Sequence, residues 1–329
     1  MAEPTEQSYE QTFDVGQRAE LTLRNVRGPI SISGWDRPQV SIIAVKQRGS
    51  EWGASDAFQD TTVEMEQDGA QVRVRTRYRG SSGFLGWVGF GRTQPRISFT
   101  IQVPAACDIS VRTVSSDISI SNVIGSVYAK AVNGDIKLES VSGQIITSGV
   151  DATVQGNALA GTLATRAVSA NVIVKQSRLT SFWSKSVDGN VSLETTIDPA
   201  GAYDMRSVGG SLRMLIPSAS KVSASLHGLS GQASCDLPCT VTEQARGRWA
   251  AQINGGGAAI ALKTVSGDLS LRMSTSIPAA AQPPAPTVAT AGPVNADWPE
   301  MSILKAVERG ELSVEDAVAK LAALDQANH

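Results

Sequence analysis

A short unit recurs along the middle of the chain and constrains its fold more than any other feature. Each copy has a Val, a small residue two positions later, a turn-forming side chain, and then an aliphatic residue. The copies are TVSSDISI from residue 113, AVNGDIKL from 131, GVDATVQG from 149, AVSANVIV from 167, SVDGNVSL from 186, SVGGSLRM from 207 and TVSGDLSL from 264. The first copies are 18 residues apart. A repeat of this length indicates a structural unit that stacks on copies of itself.

The alternation of side chains within a copy predicts which of them face the core. We expect the first Val of each copy and the later aliphatic residues to point inward, with polar residues between them. This Val recurs as Val114, Val132, Val150, Val168, Val187, Val208 and Val265. A second half-unit starting at Val123 has the opposite parity, which an uninterrupted strand cannot have. We therefore place corners at Ser121-Asn122 and Lys130-Ala131, with a further bend at the small residue.

These patterns predict an all-β fold, a β-solenoid or β-helix of 18-residue coils whose rungs stack ~4.8 Å apart. We place the solenoid at residues 105–275. Residues 1–104 contain six alternating segments, which predict a β-rich N-terminal region or cap in which NVRGPISI resembles a first rung. Residues 215–262 hold only weak copies such as GLSGQAS, consistent with either bulged coils or a cap on the open edge.

The chain changes character after the repeats. Residues 276–298 are rich in Pro and Ala and predict an extended linker. Residues 299–326 have helical periodicity, a stop at Gly310 and an N-cap at Ser313, which together predict a helical hairpin. A unit this small needs a partner surface for its apolar stripe, so we expect it to bind another copy of the chain or another protein. The candidate helical interface consists of Ile303, Leu304, Val307, Val314, Val318 and Leu321.

Composition argues against several classes of protein. A formal net charge of −2 gives no general attraction to nucleic acid or to an anionic membrane. No signal-peptide pattern and no bilayer-length apolar segment are present, so the sequence as given predicts a cytoplasmic location, with association with the cell envelope left open. Cys107, Cys235 and Cys239 lack the spacing of a zinc site, and we expect neither a metal nor a cofactor.

Part of the sequence resembles a known bacterial family. The order GPISISGWDRPQV, then VEMEQDGAQVRVRTRY, then units like TVSGDLSL is similar to the β-strand-repeat family named putative adhesins, a domain of unknown function. The resemblance covers roughly residues 10–275 and supplies no catalytic or ligand-binding residues. The C-terminal segment is similar to short helical modules that accompany such repeats and are linked to oligomerisation.

Catalytic motifs are scarce. The chain has two histidines, His227 and His329, and none of the common nucleophile, zinc-protease or phosphate-loop motifs. An enzyme would have to use paired carboxylates, as sugar-cleaving β-helices do, and Asp117 and Asp135 of adjacent copies are candidates. The alternative is that this Asp/Asn/Ser/Thr column caps backbone groups at a turn. We prefer the capping interpretation and expect no catalytic residues.

In six of the seven copies, a basic residue lies two positions before the first Val. Neighbouring rungs would align these charges, which repel by about 0.9 kcal/mol even in water at this spacing. One hypothesis is an anion-binding ridge for an acidic glycan, a lipid surface or nucleic acid. The alternative is that the side chains extend into solvent and pair with Asp151, Asp188 or Glu139. The column consists of Arg112, Lys130, Ser148, Arg166, Lys185, Arg206 and Lys263.

The segment GFLGWVGFG, residues 83–91, places Phe84, Leu85, Trp87 and Phe90 among glycines between two predicted strands. Such aromatic side chains could contact a membrane or a partner, or could seal one end of the solenoid. The sequence as a whole predicts a non-enzymatic scaffold or protein-interaction module. The first alternative is a polyanion or envelope-glycan binding module that uses the basic column, and a weaker one is a carbohydrate-active β-helix enzyme.

Overall fold

The computed structural model describes residues 6–49, 54–78 and 94–276, and almost all of them lie in β-strands. The N-terminal elements are β1 (Glu6–Asp14), β2 (Arg18–Arg27), β3 (Ile30–Trp35), β4 (Gln39–Gln47), α1 (Ala54–Gln59), β5 (Thr61–Asp68), β6 (Gln71–Tyr78) and β7 (Arg96–Pro104). The six predicted N-terminal strands are confirmed as β2 to β7. Strand β1 and the short helix α1 were not predicted from the sequence.

The repeats form the strands of the solenoid. They are β8 (Ala106–Ser115), β9 (Ile118–Ile124), β10 (Val127–Asn133), β11 (Ile136–Asp151), β12 (Val154–Asn157), β13 (Ala160–Ser169), β14 (Val172–Asp188), β15 (Val191–Thr195), β16 (Ala202–Gly209) and β17 (Leu212–Ile216). Each rung pairs in parallel with the next, so that Ile136 lies between Ile118 and Val154. The predicted β-solenoid of 18-residue coils is confirmed.

At both ends of the stack, the order of the rungs in space differs from the order of their strands in the chain. After β17, the chain forms β18 (Val222–Ser230), β19 (Ala233–Cys235), β20 (Cys239–Ala245), β21 (Arg248–Ile253), β22 (Ala258–Ser266) and β23 (Leu269–Met273). β22 and β23 insert between the rung of β16 and β17 and the rung of β18 and β19. β21 and β20 then pair antiparallel on the outside. Residues 215–262 therefore contain both a further rung, which includes GLSGQAS, and a capping hairpin.

The N-terminal end uses the same arrangement. β2 and β3 pair in parallel with β8 and β9, which makes NVRGPISI a rung of the solenoid. On their other side lie β6 and β7, which the chain reaches later. β5 pairs antiparallel with β6, and β4 and β1 pair antiparallel beyond β7. Antiparallel strands thus cover the parallel stack at both ends, which limits pairing with other chains.

The first Val of each copy points away from the core, contrary to the prediction. Val150, Val168, Val187, Val208 and Val265 are 42–51% exposed. The residue before each Val faces inward instead, as Ala131 and Ala167 do. The strand therefore keeps its alternation through the basic residue and the Val, and its parity changes only afterwards.

The corners explain this difference. The predicted corner at Ser121-Asn122 is confirmed, since Asn122 has a φ of 57° and its equivalents Ser140, Ala158 and Gln176 also have positive φ. The bend at the small residue is confirmed by Gly134, with a φ of 122°. The corner at Lys130-Ala131 is wrong, because β10 continues through both residues. A corner at Gly125 and its equivalents, also with positive φ, takes its place.

Candidate anion-binding ladder

The structure aligns the predicted basic column into one continuous row on an outer face, which we call the basic ladder. Each member is the direct cross-strand partner of the next, and parallel partners project from the same face of a sheet. In spatial order the ladder is Arg75, Arg24, Arg112, Lys130, Ser148, Arg166, Lys185, Arg206, Lys263, His227 and Arg248. Of these eleven positions, nine are Lys or Arg. At ~4.8 Å per rung the ladder is roughly 48 Å long.

Four members of the ladder were missed by sequence reasoning. Arg75 and Arg24 belong to strands whose order in the stack is not their order in the chain. His227 and Arg248 lie in the region of weak copies. The signal for Arg24 was present, because Arg24 lies two positions before Val26 just as a basic residue lies two positions before the first Val in six of the seven later copies. No local pattern marks Arg248, which pairs antiparallel in the cap.

Several arginines of the ladder are held against the sheet by neighbouring side chains. The Arg112 guanidinium lies 5.4 Å from the ring centroid of Tyr128, and that of Arg166 lies 5.5 Å from the ring of Trp183. Arg206 donates to Asp204 at 2.7 Å. Cation–π contacts and an ion pair of this kind offset part of the repulsion between adjacent rungs. They also fix the direction in which these guanidinium groups point.

The lysines of the ladder are more exposed to solvent than Arg112, Arg166 and Arg206. Lys130, Lys185 and Lys263 are exposed, and within the described part of the chain none of them takes part in an ion pair. The carboxylates that sequence reasoning offered as partners, Asp151, Asp188 and Glu139, form no ion pair with the ladder among these residues. The positive charge of the lysines is therefore directed at solvent and available to an external anion.

An apolar row runs beside the basic ladder. Each Val of the repeat lies two residues after a ladder residue and projects from the same face. Leu229, which follows His227 by two residues, extends the row and is 84% exposed. The outer face thus presents a line of cations next to a line of half-exposed aliphatic side chains. A ligand on this face would meet charge and apolar surface together.

Side chains of the Asp/Asn column connect neighbouring rungs by hydrogen bonds. Asp117 Oδ1 accepts a hydrogen bond from the backbone N–H of Asp135 at 3.0 Å, and Asp135 Oδ1 accepts one from Thr153 N–H at 3.1 Å. Asn171 and Asn190 accept equivalent bonds from the rungs that follow them. The capping interpretation is confirmed, with the difference that each side chain caps the next rung rather than its own turn. Asp117 and Asp135 therefore hold structural positions.

We expect Asp135→Ala to lower the free energy of unfolding by about 1 kcal/mol, because it leaves the Thr153 N–H without its acceptor. Asp135→Asn should keep most of the stability, since Asn171 and Asn190 accept the same bond in their own rungs. Urea unfolding of the three proteins measures both differences. Equal destabilisation by the Ala and Asn variants would show that the carboxylate charge, rather than the cap, matters.

The three cysteines are free thiols. Burial raises the pKa of Cys107 to about 12, and the nearby Asp108 charge adds to the effect. Burial is also the main cause that raises the pKa of Cys235, whose neighbour is Cys239. A raised pKa lowers the thiolate fraction and makes a thiol less reactive. Within the described ranges, no group of three or more His, Cys, Asp or Glu side chains is placed to hold a metal ion.

Two predicted sites lie outside the described residues. These are the aromatic segment with Phe84, Leu85, Trp87 and Phe90, and the helical interface at Ile303, Leu304, Val307, Val314, Val318 and Leu321. The linker from residue 277 onward lies outside them as well. Among the residues that are described, no helix has the length and apolar character needed to cross a membrane.

Several solved structures match most of this chain at low identity and with low TM-scores. A putative adhesin from Bacteroides fragilis is 12% identical with a TM-score of 0.46, and the match covers 80% of this chain and 97% of that one. A putative cell adhesion protein from Clostridium sporogenes is 11% identical with a TM-score of 0.27, covering 82% and 100%. A putative adhesin from Parabacteroides merdae is 9% identical with a TM-score of 0.25, covering 81% and 95%. A search of curated proteins found no match.

The family comparison agrees with the fold. The profile described as Toastrack DUF4097 matches residues 37–272, which is most of the chain and includes the whole run of sequence repeats. The match begins just before β4 and ends within β23, so it includes the strands from β4 to β22 and most of β23, and it leaves out β1, β2 and β3. This chain therefore belongs to the Toastrack DUF4097 family.

Proposed function

We propose that this protein is a non-enzymatic binding module whose basic ladder holds an extended polyanion such as an acidic glycan. The observation that supports the proposal is the register of the ladder, which places nine Lys or Arg residues in one line. A linear ligand with repeated charges can contact many of them at once, and such contacts release counterions and favour binding.

The arrangement of the side chains suits a polymer better than a compact anion. The cations lie along a line rather than around a cavity, so no single small ligand reaches more than a few of them. The aliphatic row beside the ladder can contact the apolar face of a sugar ring or another carbon-rich part of the ligand. The aromatic rings of Tyr128 and Trp183 hold arginines of the ladder in place before a ligand arrives, which reduces the entropy lost on binding.

The carbohydrate-active enzyme is the less favoured alternative. Asp117 and Asp135, the candidate acidic pair, each accept a backbone hydrogen bond from the following rung. Both carboxylates therefore have a structural reason to be there. The two groups also lie in a column that contains Asn, Thr and Ser in other rungs, and these side chains cannot replace a catalytic acid.

Binding of a fluorescent heparin oligosaccharide tests the proposal. The triple variant Lys130→Gln, Lys185→Gln and Lys263→Gln should bind about tenfold more weakly or worse than the wild type, because three exposed cations are removed from one line. The matched control is Lys137→Gln, Lys175→Gln and Lys221→Gln, which removes the same charge from exposed lysines outside the ladder. Equal loss in both triple variants would mean that general charge attracts the probe, and the ladder would not be the site.

Self-association through the helical hairpin remains a prediction. It depends on residues 299–326, which are not among those described, and on the small size of that unit. The two roles are compatible, because a module that forms oligomers would present several ladders to one polymer and gain avidity.

A further inference from the structure

A depression of about 300 Å³ lies near the N-terminal end of the solenoid, apart from the basic ladder. It spans several neighbouring rungs at the corner where the strands bend, and it opens to solvent. Arg27 and Arg96 line it on one side, and Ser115, Asp117 and Asn133 on the other. Of these residues, the sequence pointed only to Asp117, as one of two candidate catalytic carboxylates.

The two arginines project from backbone segments in direct contact. Gly28 packs so closely on Ile97 that a Cβ atom at Gly28 would overlap the Ile97 carbonyl oxygen. The buried side chain of Asn25 joins the segments, since its Nδ2 donates to Gly28 O at 3.3 Å and to Ile97 O at 3.1 Å. Because Arg27 precedes Gly28 and Arg96 precedes Ile97, the two arginine side chains start from adjacent backbone segments that are held together.

The charge that lines the depression is not balanced by the residues that the structure describes. Neither Arg27 nor Arg96 forms an ion pair with another described residue, whereas Arg18, which pairs with Asp108 at 2.9 Å, does. Asp117 is the carboxylate in the lining, and its Oδ1 already accepts the Asp135 N–H. The two guanidinium groups carry two positive charges and Asp117 carries one negative charge, so the lining of the depression has a net positive charge.

Hydrogen-bond donors surround the same space. Ser115 and Asn133 are exposed and carry a hydroxyl and an amide group that can donate. Ser116, in the lining, has a buried hydroxyl with no hydrogen-bond partner among the described residues. A planar carboxylate has two oxygen atoms, and its acceptor sites all lie in one plane. A tetrahedral phosphate has enough oxygen atoms for both arginines and for a hydroxyl or amide donor besides.

We propose that this depression is a binding site for a single phosphate group, with Arg27 and Arg96 as its principal ligands. Asn25 acts as a positioning residue that holds the two arginine-bearing segments together. The proposal does not depend on the polyanion ladder, because the two sites share no side chain. Its ligand would be a phosphate monoester or inorganic phosphate, recognised by its charge and its several acceptor oxygens.

Titration of the full chain with inorganic phosphate, followed by amide NMR at constant ionic strength set with chloride, tests the site. We expect saturable shifts at Gly28, Ser116 and Gly134, and an affinity at least about tenfold weaker in Arg27→Gln and in Arg96→Gln, since each loses a bidentate partner. Arg213→Gln, which removes an exposed arginine elsewhere, should bind phosphate like the wild type.

Four outcomes would overturn the proposal. Wild-type protein without saturable shifts has no site, and unchanged affinity in both arginine variants places the phosphate elsewhere. Loss of phosphate binding in the triple lysine variant of the ladder would make the ladder responsible. Acetate at the same ionic strength is the final comparison, because equal affinity for acetate would contradict the assignment to phosphate. Failure of heparin binding alone leaves the phosphate site intact.

Discussion

Gly210→Ala is expected to lower the free energy of unfolding by about 3 kcal/mol or more, the combined cost of a left-handed backbone and a steric overlap. Gly210 has a φ of 128°, and an added Cβ would overlap the carbonyl oxygen of Gly189 in the neighbouring rung. Gly189 and Gly267 stand in the same column and pack on their own neighbours in the same way. The backbone cannot move away without separating two rungs, so strain is not relieved locally.

Gly255→Ala is the control for Gly210→Ala. Gly255 also has a positive φ, 85°, but nothing lies within 4 Å of an added Cβ. Its substitution should cost only the conformational strain, about 1–2 kcal/mol. Chemical denaturation of both variants separates the two contributions. An equal loss of stability in the two variants would show that close contact between rungs at this corner does not contribute to the free energy of unfolding. That result would contradict the stacked arrangement.

The second large effect concerns the two valines of one rung. Val191→Ala should lower the free energy of unfolding by about 2 kcal/mol or more, because it removes two methyl groups from a side chain that is 1% exposed. Val187→Ala should cost less than about 0.5 kcal/mol, since Val187 is 47% exposed and lies on the outer face. The substitution is the same and the sites are four residues apart.

Urea midpoints of Val191→Ala and Val187→Ala give the comparison directly, provided that the slopes with denaturant are equal. A larger loss at Val187 would place the first Val of the repeat in the core, as the alternation of the sequence alone suggested. The structure predicts the reverse order. Because the Val recurs in seven copies, the result bears on the whole outer face.

The solenoid could be predicted from the sequence because each of its repeating units is a short continuous segment of the chain. The column that contains Ile118, Ile136 and Val154 is spaced by one coil, and stacking follows from that spacing. The prediction that the first Val points into the core was wrong. Alternation shows only which residues share a face of the strand, and whether that face points inward depends on where each corner lies. The true corner at Gly125 was hidden, since a glycine marks a bend only when its φ is known.

The order of the end rungs could not have been predicted. β22 pairs with β16 although β18 to β21 lie between them in the chain, and no local pattern encodes this insertion. For the same reason Arg75, His227 and Arg248 were not recognised as part of the basic column. The phosphate site likewise depends on contact between Gly28 and Ile97, which are far apart in sequence. Long-range pairing decides all of these features.

The most direct test of the ladder as a binding surface is the dependence of heparin affinity on salt. For the wild type, the logarithm of the binding constant should fall linearly with the logarithm of salt concentration, with a slope of several units. The triple lysine variant of the ladder should reduce that slope by roughly three, at about one per cation, and the control triple variant should leave it unchanged. A shallow wild-type slope, or equal slopes for all three proteins, would contradict the account.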